Sequence, residues 1–138
     1  MSEAVSLVVR GPADVVTFLR ACGVAGDESA QIVLGLAVTE SDVLAHTVCG
    51  AAVRSGPDAI RTVDVAQLVD LAEELVVGAV VLATAEPGPA CAPERAAMAR
   101  FVALRRGCAD AGVVLLDWVV LSGHLWWSMR EQVIHEAA

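Results

Sequence analysis

The stretch Gly78-Ala-Val-Val-Leu-Ala-Thr84, continued by Ala85-Glu86-Pro87-Gly88-Pro89-Ala90-Cys91-Ala92-Pro93-Glu94, decides the fold. A short apolar run with Gly before it and Pro/Gly after it reads as a buried strand. Pro93-Glu94 then opens a helix, since Pro is pre-organised for a first turn. Strand, loop and helix together make a frame on which catalytic ligands can be mounted at the strand's end. Here that loop carries Thr84, Glu86, Cys91 and Glu94 and no histidine.

Outward from this unit the periodicity alternates between helix and strand. Gly11-Pro12-Ala13-Asp14 opens a helix with Val15, Phe18, Leu19 and Cys22 on its apolar face, and Gly23 ends it. Val5–Val9 reads as a first strand or an extended arm. Gln31–Thr39 is a strand apolar on both faces, Glu40-Ser41-Asp42 a turn, and Val43–Val48 the returning strand of a hairpin. Cys49–Pro57 reads as loop. Thr62-Val63-Asp64 supplies a cap for a helix over Val65–Val76, with Leu68, Leu71, Ala72 and Leu75 at helical spacing. The helix begun at Pro93-Glu94 runs to about residue 111 and stops at Gly112. Val113–Leu121 is a strand, Ser122-Gly123-His124 a turn, Leu125–Met129 the last strand, and Arg130–Ala138 a short helix or tail. Helices alternating with strands and hairpins predict an α/β domain with a three-layer mixed β-sheet and flanking helices. Residues 1–138 are expected to form this one domain.

Composition narrows the function classes. The net charge of −8 repels phosphate backbones, which disfavours nucleic acid as a partner. The basic cluster Arg95, Arg100, Arg105 and Arg106 forms no clean helical stripe and reads as a solvated helix face. All nine basic residues are arginine, and Lys, Asn and Tyr are absent. The codon usage of a GC-rich genome explains all three absences, whereas avoidance of lysine modification explains only one. The apolar runs Val76–Ala83 and Val113–Leu121 fall well short of the roughly 20 residues of a membrane span. The first residues lack the basic start and long apolar stretch of a secretion signal, so a cytoplasmic location is expected, with no membrane partner. The four cysteines form no CxxC pair and read as buried free thiols. His46, His124 and His135 are scattered, so a histidine metal site would need ligands from distant segments.

The order of elements and several local motifs resemble the RadC family of JAB/MPN (JAMM-type) domains, over about Val8 to Glu131. The C-terminal part is the most specific. Leu115-Leu116-Asp117-Trp118-Val119-Val120-Leu121, then Ser122-Gly123-His124-Leu125-Trp126-Trp127-Ser128-Met129-Arg130-Glu131, is similar to the family's strand and hairpin ending without a gap. Ala83-Thr84-Ala85-Glu86-Pro87-Gly88 stands where the family writes A-H-N-H-P-S-G. The resemblance implies the JAB/MPN (cytidine-deaminase-like) architecture. In the family, two histidines and an Asp hold zinc, and an upstream Glu handles the proton of the bound water.

The departures fall on that chemistry. Thr84 and Glu86 occupy the two histidine positions, Arg95 aligns with the Asp beside Glu94, and His46 falls near the upstream Glu. Thr is a poor zinc ligand and Arg a fixed cation, so no metal and no cofactor are expected. Glu86 or Glu94 could pair with Arg95 and close the cleft. Asp117 in mid-strand reads as a partner for buried polar groups. Trp126 and Trp127 are adjacent on a strand, so they point to opposite faces, and one of them needs cover. Both are therefore interface candidates. The leading expectation is a non-catalytic, metal-free domain working by protein–protein contact or as a scaffold, as a homodimer or with a protein partner. The alternative is a divergent hydrolase, isopeptidase- or peptidase-like, that uses a rearranged cleft with His46, Glu86 and Glu94 or Asp117. A DNA-repair-associated factor is a third reading, opposed by the charge.

Overall fold

The computed structural model describes residues 7–21, 31–42, 45–56, 58–86 and 88–137. In chain order the elements are β1 (Leu7–Val9), α1 (Pro12–Ala21), β2 (Gln31–Asp42), β3 (Ala45–Gly56), α2 (Val65–Glu74), β4 (Ala79–Glu86), α3 (Arg95–Asp110), β5 (Val114–Ser122), β6 (Leu125–Ser128) and α4 (Met129–Ala137). A single 3-10 turn, Ile60–Thr62, precedes α2. The six strands form one sheet in the order β1-β3-β2-β4-β5-β6. Among the described strands only β4 and β5 run parallel, with α3 as the crossover between them, and the other neighbours are antiparallel. The chain is thus an α/β protein with a mixed sheet.

Side-chain alternation along β4 separates two cores. Ala79, Val81, Ala83 and Ala85 face one way and pack with Val15, Val16 and Leu19 of α1. Val80 and Leu82 face the other way and pack with Leu68, Leu71 and Ala72 of α2, Phe101 and Leu104 of α3, and Met129 of α4. Helices on both faces explain why β4 is apolar from Ala79 to Ala83 rather than alternating. Near-continuous burial of β4 and β5 makes them the centre of the fold.

Several expectations from sequence are met closely. Asp64 caps α2 through a reciprocal pair, its carboxylate accepting from Gln67 N while Gln67 Oε1 accepts from Asp64 N. Gly112 ends α3 with φ +80°. The loop expected over Cys49–Pro57 is corrected: residues 49–56 continue β3, paired with β2 from Gln31↔Gly56 to Ala37↔Gly50. Glycine and alanine there carry little strand preference, and the hydrogen-bonded ladder to β2 overrides it. Gly50 lies close beneath the end of α2, where an added Cβ would sit 2.6 Å from Leu75 Cδ1 and push that side chain aside. Glu40-Ser41-Asp42, expected as a turn, instead belongs to β2, which reaches Asp42. Residues 43 and 44, and Cys22 and Gly23, lie outside the described residues.

Candidate functional site

The parallel pair β4 and β5 brings two strand C-termini to one edge of the sheet, where α/β folds commonly place a crevice. A cleft of about 400 Å³ opens there. Its floor is Thr84 of β4 with Trp118 and Val120 of β5, all buried. Its rim is Glu86, the loop from Cys91 to Glu94, and the first turns of α3 as far as Arg100. Thr84 and Glu86 share a face because they are two apart on a strand. That face turns toward α3, away from α1.

On the floor, the indole Nε1–H of Trp118 donates to Thr84 Oγ1 at 2.8 Å. Arg100 spans the side wall. Its Nη1 donates to Ile60 O at 2.7 Å, and its Nη2 to Arg61 O at 3.0 Å and Val63 O at 2.7 Å. The guanidinium carbon lies 5.8 Å from the centroid of the Trp118 ring, within cation–π range. This corrects the sequence reading of Arg100 as part of a solvated face: its charge terminates the 3-10 turn and packs over Trp118. The acceptors are main-chain carbonyls, which carry no residue-type signal, so the sequence held no clue to them.

The loop is held to β5 by small groups. Cys91 N donates to Ser122 Oγ at 3.0 Å. Gly123, with φ +60°, lies so close to the loop that a Cβ would approach Ala90 N to 2.8 Å. The expectation of buried thiols holds for Cys108 and is corrected for Cys91, exposed at the rim, and for Cys49, exposed on β3.

The remaining candidate residues are distributed as follows. Glu94 is the N-cap of α3 but its side chain makes no capping bond. Arg95 is exposed, lies outside the cleft lining, and forms no ion pair with Glu86 or Glu94 among the described residues. The expected closure of the cleft by such a pair is therefore corrected. The next residue positions of α3 turn toward the cleft, whereas the first helical residue turns out to solvent. His46 sits on β3 opposite Glu40 of β2 and Val9 of β1, and its side chain lies outside the described part. Asp117 is buried but does not line the cleft. It accepts from Trp118 N at 2.7 Å, Ser128 Oγ at 2.5 Å and Arg130 N at 3.0 Å, which fastens the start of α4 to β5.

Trp126 and Trp127 pair with Leu121 and Val120 respectively and so stand on opposite faces of the sheet. Trp126 packs against the α1-side core, and both rings are half-buried. Neither is among the strongly exposed large apolar residues, which include Val76, Val53 and Ile134.

The residues do not fit a zinc centre of the kind the resemblance implies. The Thr84 oxygen is already an acceptor for Trp118, Arg95 points away, and Arg100 brings a positive charge to the cleft wall. Among the described residues no group of three or more His, Cys, Asp and Glu side chains is gathered to hold a metal. Among the described residues, no helix is long and apolar enough to cross a membrane. A scan of protein-family models and a search of curated proteins return no match to this chain.

Proposed function

We propose that the chain is a RadC-like JAB/MPN domain that acts by protein–protein contact, as a homodimer or as the scaffold partner of an active enzyme, in the cytoplasm. Its support is the local sequence from Leu115 to Glu131, together with a cleft at the C-terminal ends of β4 and β5. The carrying observation is the Trp118–Thr84 hydrogen bond. It commits the position of the family's first histidine to an internal contact with an indole that itself stands at a commonly polar position. Function then rests with surfaces rather than with an activated water, since metal activation requires about three good ligands. Fold resemblance alone carries no activity. A second reading, a divergent isopeptidase- or peptidase-like hydrolase, is favoured only by Glu86 and Glu94 lining the same cleft. A DNA-repair role is opposed by the charge of −8.

The two readings separate in one set of measurements. Purified chain, with and without added zinc, is assayed on fluorogenic peptide and isopeptide substrates, and its mass is followed by sedimentation at micromolar concentration. No turnover and a dimer mass are expected, with Trp127→Glu weakening the dimer. An interface of at least about 1,000 Å² in total is required for a stable pair. Turnover that Glu86→Gln abolishes would establish the hydrolase instead.

A further inference from the structure

The cleft retains hydrogen-bonding capacity after its internal contacts are counted. Thr84 is 2% exposed and lies on the floor. An indole N–H only donates, so Trp118 uses the Thr84 oxygen and leaves the hydroxyl hydrogen without an acceptor among the described residues. A buried donor in that state is unfavourable, and this one faces the cleft. It calls for an acceptor atom from whatever enters. The rim offers the opposite chemistry, because the side chains of Glu86 and Glu94 present acceptors. Arg100, the one cation of the lining among the described residues, gives its guanidinium to three main-chain carbonyls and forms no ion pair with Glu86 or Glu94. Ala97 and Val120 add apolar surface to the same lining.

A ligand matching all three regions has a carbonyl oxygen at one end, an aliphatic stem and a cationic head. The geometry points to a basic peptide segment of a protein partner: one Arg or Lys residue whose main-chain carbonyl accepts from Thr84 and whose side chain meets Glu86 and Glu94. The volume of about 400 Å³ suits one residue with its flanking peptide groups. The net charge of −8 draws such a segment in. This assignment rests on reading the cleft as a contact site, and it names what the partner presents there.

The Trp118 indole N–H is a local reporter. Its ¹⁵N-labelled resonance, assigned by its loss in Trp118→Phe, is followed while acetyl-Gly-Arg-Gly-amide is added at low salt. A saturable shift is expected, and the Glu86→Gln/Glu94→Gln double variant should raise the Kd roughly tenfold. An unmoved indole signal at millimolar peptide would overturn the proposal. So would equal binding of the same peptide with norleucine in place of Arg, equal binding of free arginine, or an unchanged Kd in the double variant. The peptide is recovered and weighed by mass spectrometry. Cleavage would overturn the non-catalytic reading while leaving the binding site standing, whereas intact peptide with no binding would overturn the site alone.

Discussion

Trp118 and Thr84 are joined by a 2.8 Å hydrogen bond across the parallel strands β5 and β4, and both are buried. The donor-only indole thus finds its acceptor in a hydroxyl at the floor of the cleft, while the hydroxyl's own hydrogen stays available there. Removing the hydroxyl while keeping the shape, Thr84→Val, strands the indole N–H at a cost of about 1–3 kcal/mol. Thr84→Ser keeps the oxygen and should cost less. In a Trp118→Phe background, Thr84→Val should be nearly neutral, because both polar partners are then gone. Urea midpoints of the parent, the three single variants and the double variant test this, and equal costs of Thr84→Val in both backgrounds would refute the coupling.

Asp117 accepts from three donors, and two of them, Ser128 Oγ and Arg130 N, tie β5 to the beginning of α4. Ser128 relays the contact, since its Oγ also accepts from Glu131 N at 3.3 Å. Asp117→Ala leaves buried donors unpaired and should cost at least about 3 kcal/mol. Ser128→Ala should cost about 1 kcal/mol, the usual loss of a helix cap. Asp117→Asn falls between, because one oxygen can still accept from both backbone N–H groups. The order of the three denaturation midpoints is the test. Removal of Asp117 without loss of stability would return this residue to the list of candidates for catalysis.

Much of the fold was legible because burial leaves periodic marks. β4 announces itself as a short apolar run between Gly78 and Pro87, and α2 by its capping Asp64 and the spacing of Leu68, Leu71 and Ala72. The second half of β3 left no mark: Gly50, Ala51 and Ala52 neither alternate nor favour strands, and their pairing with β2 is decided by backbone hydrogen bonds alone. At the site, the strand position of Thr84 and Glu86 could be read, but not the partner of either. Trp118 lies 34 residues from Thr84, and the carbonyls held by Arg100 lie 37 to 40 residues upstream. Contacts of that kind depend on how the helices settle on the sheet, and Arg95 and Arg100 look alike until α3 has a direction.

Cys108 supplies a pH dependence. It is fully buried in α3, and burial pushes its thiol above the ordinary value of 9.0 by penalising the thiolate. Below that value both folded and unfolded chains hold the proton, and stability does not depend on this group. Above it the unfolded chain releases the proton first, so stability falls as pH rises toward the folded value. Cys108→Ala should remove that part of the alkaline decline, which urea titrations on either side of pH 9.0 would reveal. In the native state, Cys91 and Cys49 should react with a thiol reagent and Cys108 only on unfolding, since the first two are exposed. Native-state alkylation of Cys108 at the rate of Cys91 would contradict the burial on which the pH argument depends.

Val76 is the remaining irregularity, and α3 shows what it lacks. Both α2 and α3 end with the same pair of backbone bonds. After α2, Val76 N donates to Glu73 O at 3.2 Å and Val77 N to Ala72 O at 2.9 Å. After α3, Gly112 N donates to Ala109 O at 3.0 Å and Val113 N to Cys108 O at 2.9 Å. The motif requires a left-handed residue at its turn, which is Gly112 with φ +80° in one case and Val76 with φ +55° in the other. A β-branched side chain is strained there by about 1–2 kcal/mol. Val76 recovers little by packing, being 89% exposed. Val76→Gly should therefore stabilise the protein by about 0.5–1 kcal/mol, the relief being partly offset by the greater freedom of glycine in the unfolded chain. Gly112→Val should destabilise it by about the full strain, near 1–2 kcal/mol. Opposite shifts of the thermal midpoint in the two variants are expected. A Val76→Gly protein that melts below the parent would mean that the exposed valine is covered in solution, and sedimentation of the two proteins side by side would show whether a second copy provides that cover.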